Sequence, residues 1–145
     1  VGLDDEGVQR LLKVVTTVAI VPASTNPAFS SHRVASYLVD AGYTVWPVSA
    51  PDGQVAGQAC VARLDDLEAA PDVVYGFVTP PEAPQLARQA ADRGALALWL
   101  HEGIRSDEAE QIAEQQGLQV VVDRNMEVEH RVLLRGEARV YFMPM

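Results

Sequence analysis

Ser24, Thr25 and Asn26 stand between an apolar run, Val18-Ala19-Ile20-Val21-Pro22-Ala23, and a helical pattern that begins at Val34, just after Ser31. Such an apolar run is what a parallel strand buried on both faces looks like. Hydroxyl and amide side chains in a strand-to-helix loop lie next to backbone amides that the first helical turn leaves unpaired, and the two together make an anion site. The chemistry implied is binding of a phosphate-bearing ligand, not the making or breaking of bonds. The same composition also serves an ordinary strand–helix connection, and at this point both readings stand.

Other residues of reactive type are weaker candidates. His101-Glu102-Gly103-Ile104-Arg105 lacks the second histidine of a zinc-protease helix. Glu127 and His130 have the i,i+3 spacing of a helical metal pair, but no second pair matches them, so a structural or exposed role is expected. Cys60 reads as a small core residue on an edge strand, and Trp46 and Trp99 as core aromatics. A Ser–His–Asp arrangement is a matter of spatial adjacency and cannot be read from one chain. No catalytic or metal-binding residue is therefore assigned. The NAD fingerprint is missing as well: the turn from Pro22 to Ser31 contains no glycine, and the nearest acid after the second strand is Asp52.

Composition sets the frame for these groups. The 145 residues fit one domain, 1–145, and nearly half are apolar (48%), enough for a sizeable core. Against 11 basic side chains stand 20 acidic ones, for a net charge of −9, which argues against nucleic-acid and anionic-membrane surfaces. Lys13 is the only lysine, so an anion must be held by backbone amides, hydroxyls and a few arginines. A single cysteine and no apolar run of about 18 residues lead us to expect a soluble cytoplasmic protein.

The elements that must position the loop follow from pattern. Gly42, Gly94 and Gly117 each close an amphipathic helical stretch and open an apolar run: Tyr43–Val48, Ala95–Leu100 and Leu118–Val122. Alternating helices and apolar strands predict a Rossmann-like, doubly wound parallel sheet covered on both faces, with strand order 3-2-1-4-5-6 and a short third strand near Ala59-Cys60-Val61. A first helix is expected around Asp4–Val14 and another near Ser31–Ala41. Thr79-Pro80-Pro81-Glu82 spells a capping box, Ser106 and Asn125 are expected helix caps, and Ala138–Phe142 a terminal strand. Right-handed crossovers then bring the loops at 22–31, 49–53, 79–82 and 101–106 to one sheet edge.

Several motifs, in order, resemble the small CoA-binding-domain family, which is similar to the CoA-binding domain of the succinyl-CoA synthetase alpha subunit. They are Val18–Pro27, Ser31-x-x-Val34-x-x-Tyr37-Leu38, Ala41-Gly42-Tyr43-x-Val45-x-Pro47-Val48, Ala97-Leu98-Trp99-Leu100-x-x-Gly103-Ile104, Gly117-Leu118-x-Val120-Val121-x-Asp123-Arg124 and Glu129-His130-Arg131. The resemblance covers about residues 10–133, leaving 134–145 as an extension. It implies non-catalytic binding of coenzyme A or an acyl-CoA at the carboxyl edge, with an interaction module that has lost its nucleotide as the alternative. The ligand is then a small molecule, neither nucleic acid nor membrane, and a protein partner stays open. By the resemblance, Ala23, Ser24, Thr25 and Asn26 hold the diphosphate or ribose with Ser31, and His32 or Arg33 offsets the 3′-phosphate. Ser49, Thr79 and Pro80 line the cleft, and Leu100, His101 and Glu102 form the segment that contacts CoA. The chain departs from the family pattern at Pro22 (a glycine), Phe29 (a basic residue), Ser49 (an asparagine) and Asn125 (a cysteine).

Overall fold

The protein is represented by a computed structural model that describes residues 2–49 and 53–139. Asp4 caps the first helix, α1 (Asp5–Val14), its carboxylate accepting the Gly7 N–H at 3.0 Å. There follow β1 (Thr17–Val21), α2 (Ser30–Asp40), β2 (Thr44–Pro47) and a small antiparallel hairpin, β3 (Gln54–Val55) with β4 (Gln58–Ala59). The second half runs β5 (Val73–Gly76), a 3-10 turn over Pro80–Glu82, α3 (Ala83–Arg93), β6 (Ala97–Leu100), α4 (Asp107–Gln115), β7 (Gln119–Val121) and α5 (Met126–Leu133).

The main sheet is parallel, in the order β2-β1-β5-β6-β7. This is the predicted doubly wound α/β arrangement, with the expected third strand reduced to one parallel bridge between Val48 and Val61. The reason is local: the hairpin turns the chain back on itself through Ala56 and Gly57, both at positive φ, and only Val61 reaches β2. The expected terminal strand is not regular over 136–139, and its remainder lies outside the described residues.

Strand parity sorts the core into two layers. Val18, Ile20, Val73, Tyr75, Ala97 and Trp99 face α1, α2 and α5. Ala19, Val74, Leu98, Leu100 and Val120 face α3 and α4, where Leu86, Ala87, Ala109 and Ala113 let the helices approach closely. Gly94 ends α3 in the left-handed region at φ 82°, where a Cβ would be strained, and Gly42 and Gly117 adopt the same conformation as the pattern required.

From β1 the chain leaves through α2 toward β2, on one side; from β5 it leaves through α3 toward β6, on the other. The carboxyl ends of β1 and β5 therefore flank a crevice at the point where strand order reverses, which is where open α/β sheets bind ligands.

Candidate nucleotide site at the carboxyl edge

Backbone pairing carries the ladder past the strands and lines up the loops. Ala23 N–H donates to the Val48 carbonyl at 2.9 Å, Phe77 N–H to Val21 at 2.7 Å, and His101 N–H to Gly76 at 3.1 Å. The loops after β1, β5 and β6 thus start at one edge beside Val48 and Ser49, while residues 50–52 of the expected loop after β2 lie outside the described residues.

The loop after β1 is built from its own side chains. The Val21–Pro22 peptide is cis. Ser31, buried on the first turn of α2, accepts the Ser24 N–H with its hydroxyl oxygen at 3.1 Å. Ser24 in turn accepts the Asn26 N–H, and the Asn26 amide oxygen accepts the Ala28 N–H at 3.0 Å. These bonds fix the loop's shape. They leave the amides of Thr25, Ser30 and Ser31 without a partner among the described residues, while Thr25 through Ser30 are exposed. Phe29, the residue before α2, is 57% exposed at the same rim.

The other expected positions divide. Ser49 is half-buried at the edge, its N–H donated to Val61. Thr79 closes the expected capping box, with both its N–H and its hydroxyl donating to Glu82, and Pro80 lies exposed beside it. That bond holds the exposed Glu82 carboxyl below its ordinary pKa. Arg33 grips Glu127 with two nitrogens, at 3.1 and 3.3 Å, so a phosphate would have to share it. Leu100 is fully buried in the layer under α3 and α4, and its side chain is therefore not offered to the edge.

His101 is held by a partner that spacing does not reveal. Its Nδ1 lies 2.7 Å from the hydroxyl of Tyr75, a residue 26 positions away on β5, and its ring packs 4.3 Å from that of Phe77. Burial depresses the imidazole pKa to about 4 and raises that of the Tyr75 phenol. A hint was present in the sequence: Tyr75, Phe77, Trp99 and His101 share strand parity at two neighbouring strand ends.

The expected structural role of Glu127 and His130 takes concrete form. Glu127 joins Arg33 to Arg131, and His130 Nδ1 meets the Tyr37 hydroxyl at 2.7 Å, so the two point to different partners. Glu129 is bound by Arg124 at 2.7 Å and by Arg139. Both glutamates are 1% exposed. Asn125 caps α5 as expected, accepting the Glu127 N–H at 2.9 Å, and Ser106 caps α4. Cys60 is buried, and burial raises its thiol pKa, which suits a packing residue more than a nucleophile. Beyond the ends of β6 and β7 lies an open cavity of about 430 Å³, lined by Glu102, Arg105, Asp123, Arg124 and Glu129 among others. Glu102 borders it, its carboxyl pKa raised by burial and by the Asp123 and Glu129 carboxylates.

Comparison with known proteins agrees with this fold. YneT of Bacillus subtilis (strain 168) is 27% identical over 125 residues, covering 86% of this chain and 93% of that protein. The crystal structure of Prb, the PH1109 protein redesigned for binding, matches with a TM-score of 0.87 at 33% identity, over 94% of this chain and 96% of that one. A protein from Pyrococcus horikoshii OT3 matches with a TM-score of 0.85 at 34% identity, over 92% and 94% of the two chains. Residues 16–131 match the family described as CoA binding domain, from β1 through most of α5. The chain belongs to the CoA-binding domain family.

Proposed function

We propose that this protein binds coenzyme A or an acyl-CoA in the crevice between the ends of β1 and β5, without itself catalysing a reaction. The observation that carries the reading is the loop over 23–31. Its residues Thr25 through Ser30 are exposed, it is held in shape by Ser24, Asn26 and Ser31, and three of its amides have no partner among the described residues, where the strand order reverses. Unpaired amides at a helix start attract a diphosphate without any lysine. Thr25 through Ser30, the stretch that would meet a diphosphate, are exposed. Membership of the family supports the choice of CoA over other nucleotides.

The ligand is further constrained by charge. No lysine stands near the loop, and Arg33 is already engaged by Glu127. Recognition here rests on neutral donors and on the aromatic surface of Phe29, which suits an adenine ring. Calorimetry against CoA, acetyl-CoA, NAD and ATP tests the reading. Binding of the first two alone is the expected result. Preference for NAD, or silence toward all four, overturns it, and silence favours an interaction module built on a nucleotide fold.

A further inference from the structure

We propose that His101 is a specificity-determining residue of this site: its Nε2–H donates to an uncharged carbonyl oxygen on the ligand's arm, and Tyr75 fixes the tautomer that makes this possible. The inference rests on the proposed CoA reading and adds a second contact point to it.

The tautomer follows from counting protons. The Tyr75 hydroxyl oxygen accepts the Met126 N–H at 3.1 Å, at the start of α5. Its one proton has two possible acceptors, His101 Nδ1 at 2.7 Å and the Arg124 carbonyl at 3.5 Å. That carbonyl already accepts the Trp99 indole N–H at 2.7 Å. The short contact takes the proton, so Nδ1 is an acceptor and the neutral ring carries its own proton on Nε2. Burial keeps the ring neutral at ordinary pH, as its low pKa of about 4 records.

The direction of Nε2 follows from burial. His101 is only 9% exposed. Nε2 takes no partner from the described residues, yet among them no buried side-chain nitrogen or oxygen goes unpaired. Nε2 therefore reaches the solvent at the carboxyl edge, as the one polar outlet of an otherwise enclosed ring.

The nature of its acceptor follows from the neighbours. A neutral N–H flanked by the Phe77 and Tyr75 rings, with the Glu102 carboxylate next in the chain, is a poor seat for a phosphate. A carbonyl oxygen needs just one neutral donor. Adjacent strands are about 4.8 Å apart, so the end of β6 lies roughly 10 Å from that of β1. A ligand with its diphosphate on the β1 loop reaches His101 only through an extended, uncharged arm bearing a carbonyl. The pantetheine amides and an acyl thioester both offer that group.

Calorimetry with CoA and acetyl-CoA on the wild type, His101→Leu and His101→Gln tests the assignment, with nitrogen-15 NMR of the imidazole in the ligand-free wild type. We expect His101→Leu to weaken binding about 3- to 10-fold, the scale of one neutral hydrogen bond, and His101→Gln to restore most of it. A loss with both ligands places the contact on a pantetheine amide; a loss with acetyl-CoA alone places it on the thioester. A wild type that binds CoA while His101→Leu binds equally well overturns the subsite and leaves the parent reading intact. A wild type that binds neither ligand overturns both. A proton found on Nδ1 overturns the tautomer whatever the variants do, including a His101→Leu chain that fails to fold.

Discussion

The loop after β1 and the seam along α5 use polar groups in opposite ways. In the loop, small side chains satisfy selected amides, leave others without a partner among the described residues, and bring no cation of their own. Along the seam, arginines converge on two almost wholly buried carboxylates: Arg33 and Arg131 on Glu127, Arg124 and Arg139 on Glu129. Much of the chain's scarce positive charge is thus spent on fastening α5 to α2 and to the start of α1, through Asp5 as well. The loop at the sheet edge is left with neutral donors. The contrast teaches that this acidic chain uses its arginines for packing α5 and shapes the edge loop with neutral side chains.

Breaking the seam should give the largest effect. Arg124→Leu removes a half-buried partner of the buried Glu129 and the link to Asp5, and with Arg139 still on Glu129 we expect a loss of about 3 kcal/mol in urea unfolding. A loss below about 1 kcal/mol would mean that the carboxylate finds water and the seam holds little.

Acid should act next, through the buried imidazole. The folded pKa of His101, about 4, lies below its ordinary value of 6.5, so the unfolded chain binds the proton more readily in between. Stability from this group is complete above about pH 6.5 and drains away as the pH falls toward 4, by about 3 kcal/mol. His130, also depressed, mainly by burial, adds to the same trend. The difference between wild type and His101→Gln, unfolded in urea at pH 7 and at pH 4, isolates the His101 part; identical slopes would refute it.

Effects at the loop are smaller and fall on affinity. Ser24→Ala with Asn26→Ala removes two acceptors that shape residues 24–28, and CoA binding should weaken about 10-fold. Unchanged affinity would remove the loop from the site. Smallest of all should be the effect of the 3′-phosphate. With Arg33 held by Glu127 and Phe29 at the rim, dephospho-CoA should bind within about 3-fold of CoA, with little dependence on salt. A tenfold preference for CoA would reveal a cation engaged at the loop.

Much of the fold was legible because it is written in local chemistry. The glycines at 42, 94 and 117, the caps at Ser106 and Asn125, and the continuous apolar strands each declare themselves within a few residues. The edge strand near Cys60 was over-read, since the apolar triplet gives no hint that the hairpin at 54–59 uses up the chain needed for pairing. The loop at 22–31 was legible as a candidate because its residues are contiguous. The Tyr75–His101 pair, 26 positions apart, and the Arg33–Glu127 and Arg124–Asp5 links, 94 and 119 apart, were not, because they meet only once the sheet and α5 are in place. Leu100 shows the converse limit: its neighbours in sequence lie at the edge, while strand parity turns its own side chain into the core.

The most direct test of the account is an amide NMR titration of the wild-type protein with CoA. The account predicts saturable shifts at Thr25, Ser30 and Ser31, the three amides left open at the rim. Saturable CoA binding that leaves these three amides unmoved would contradict it.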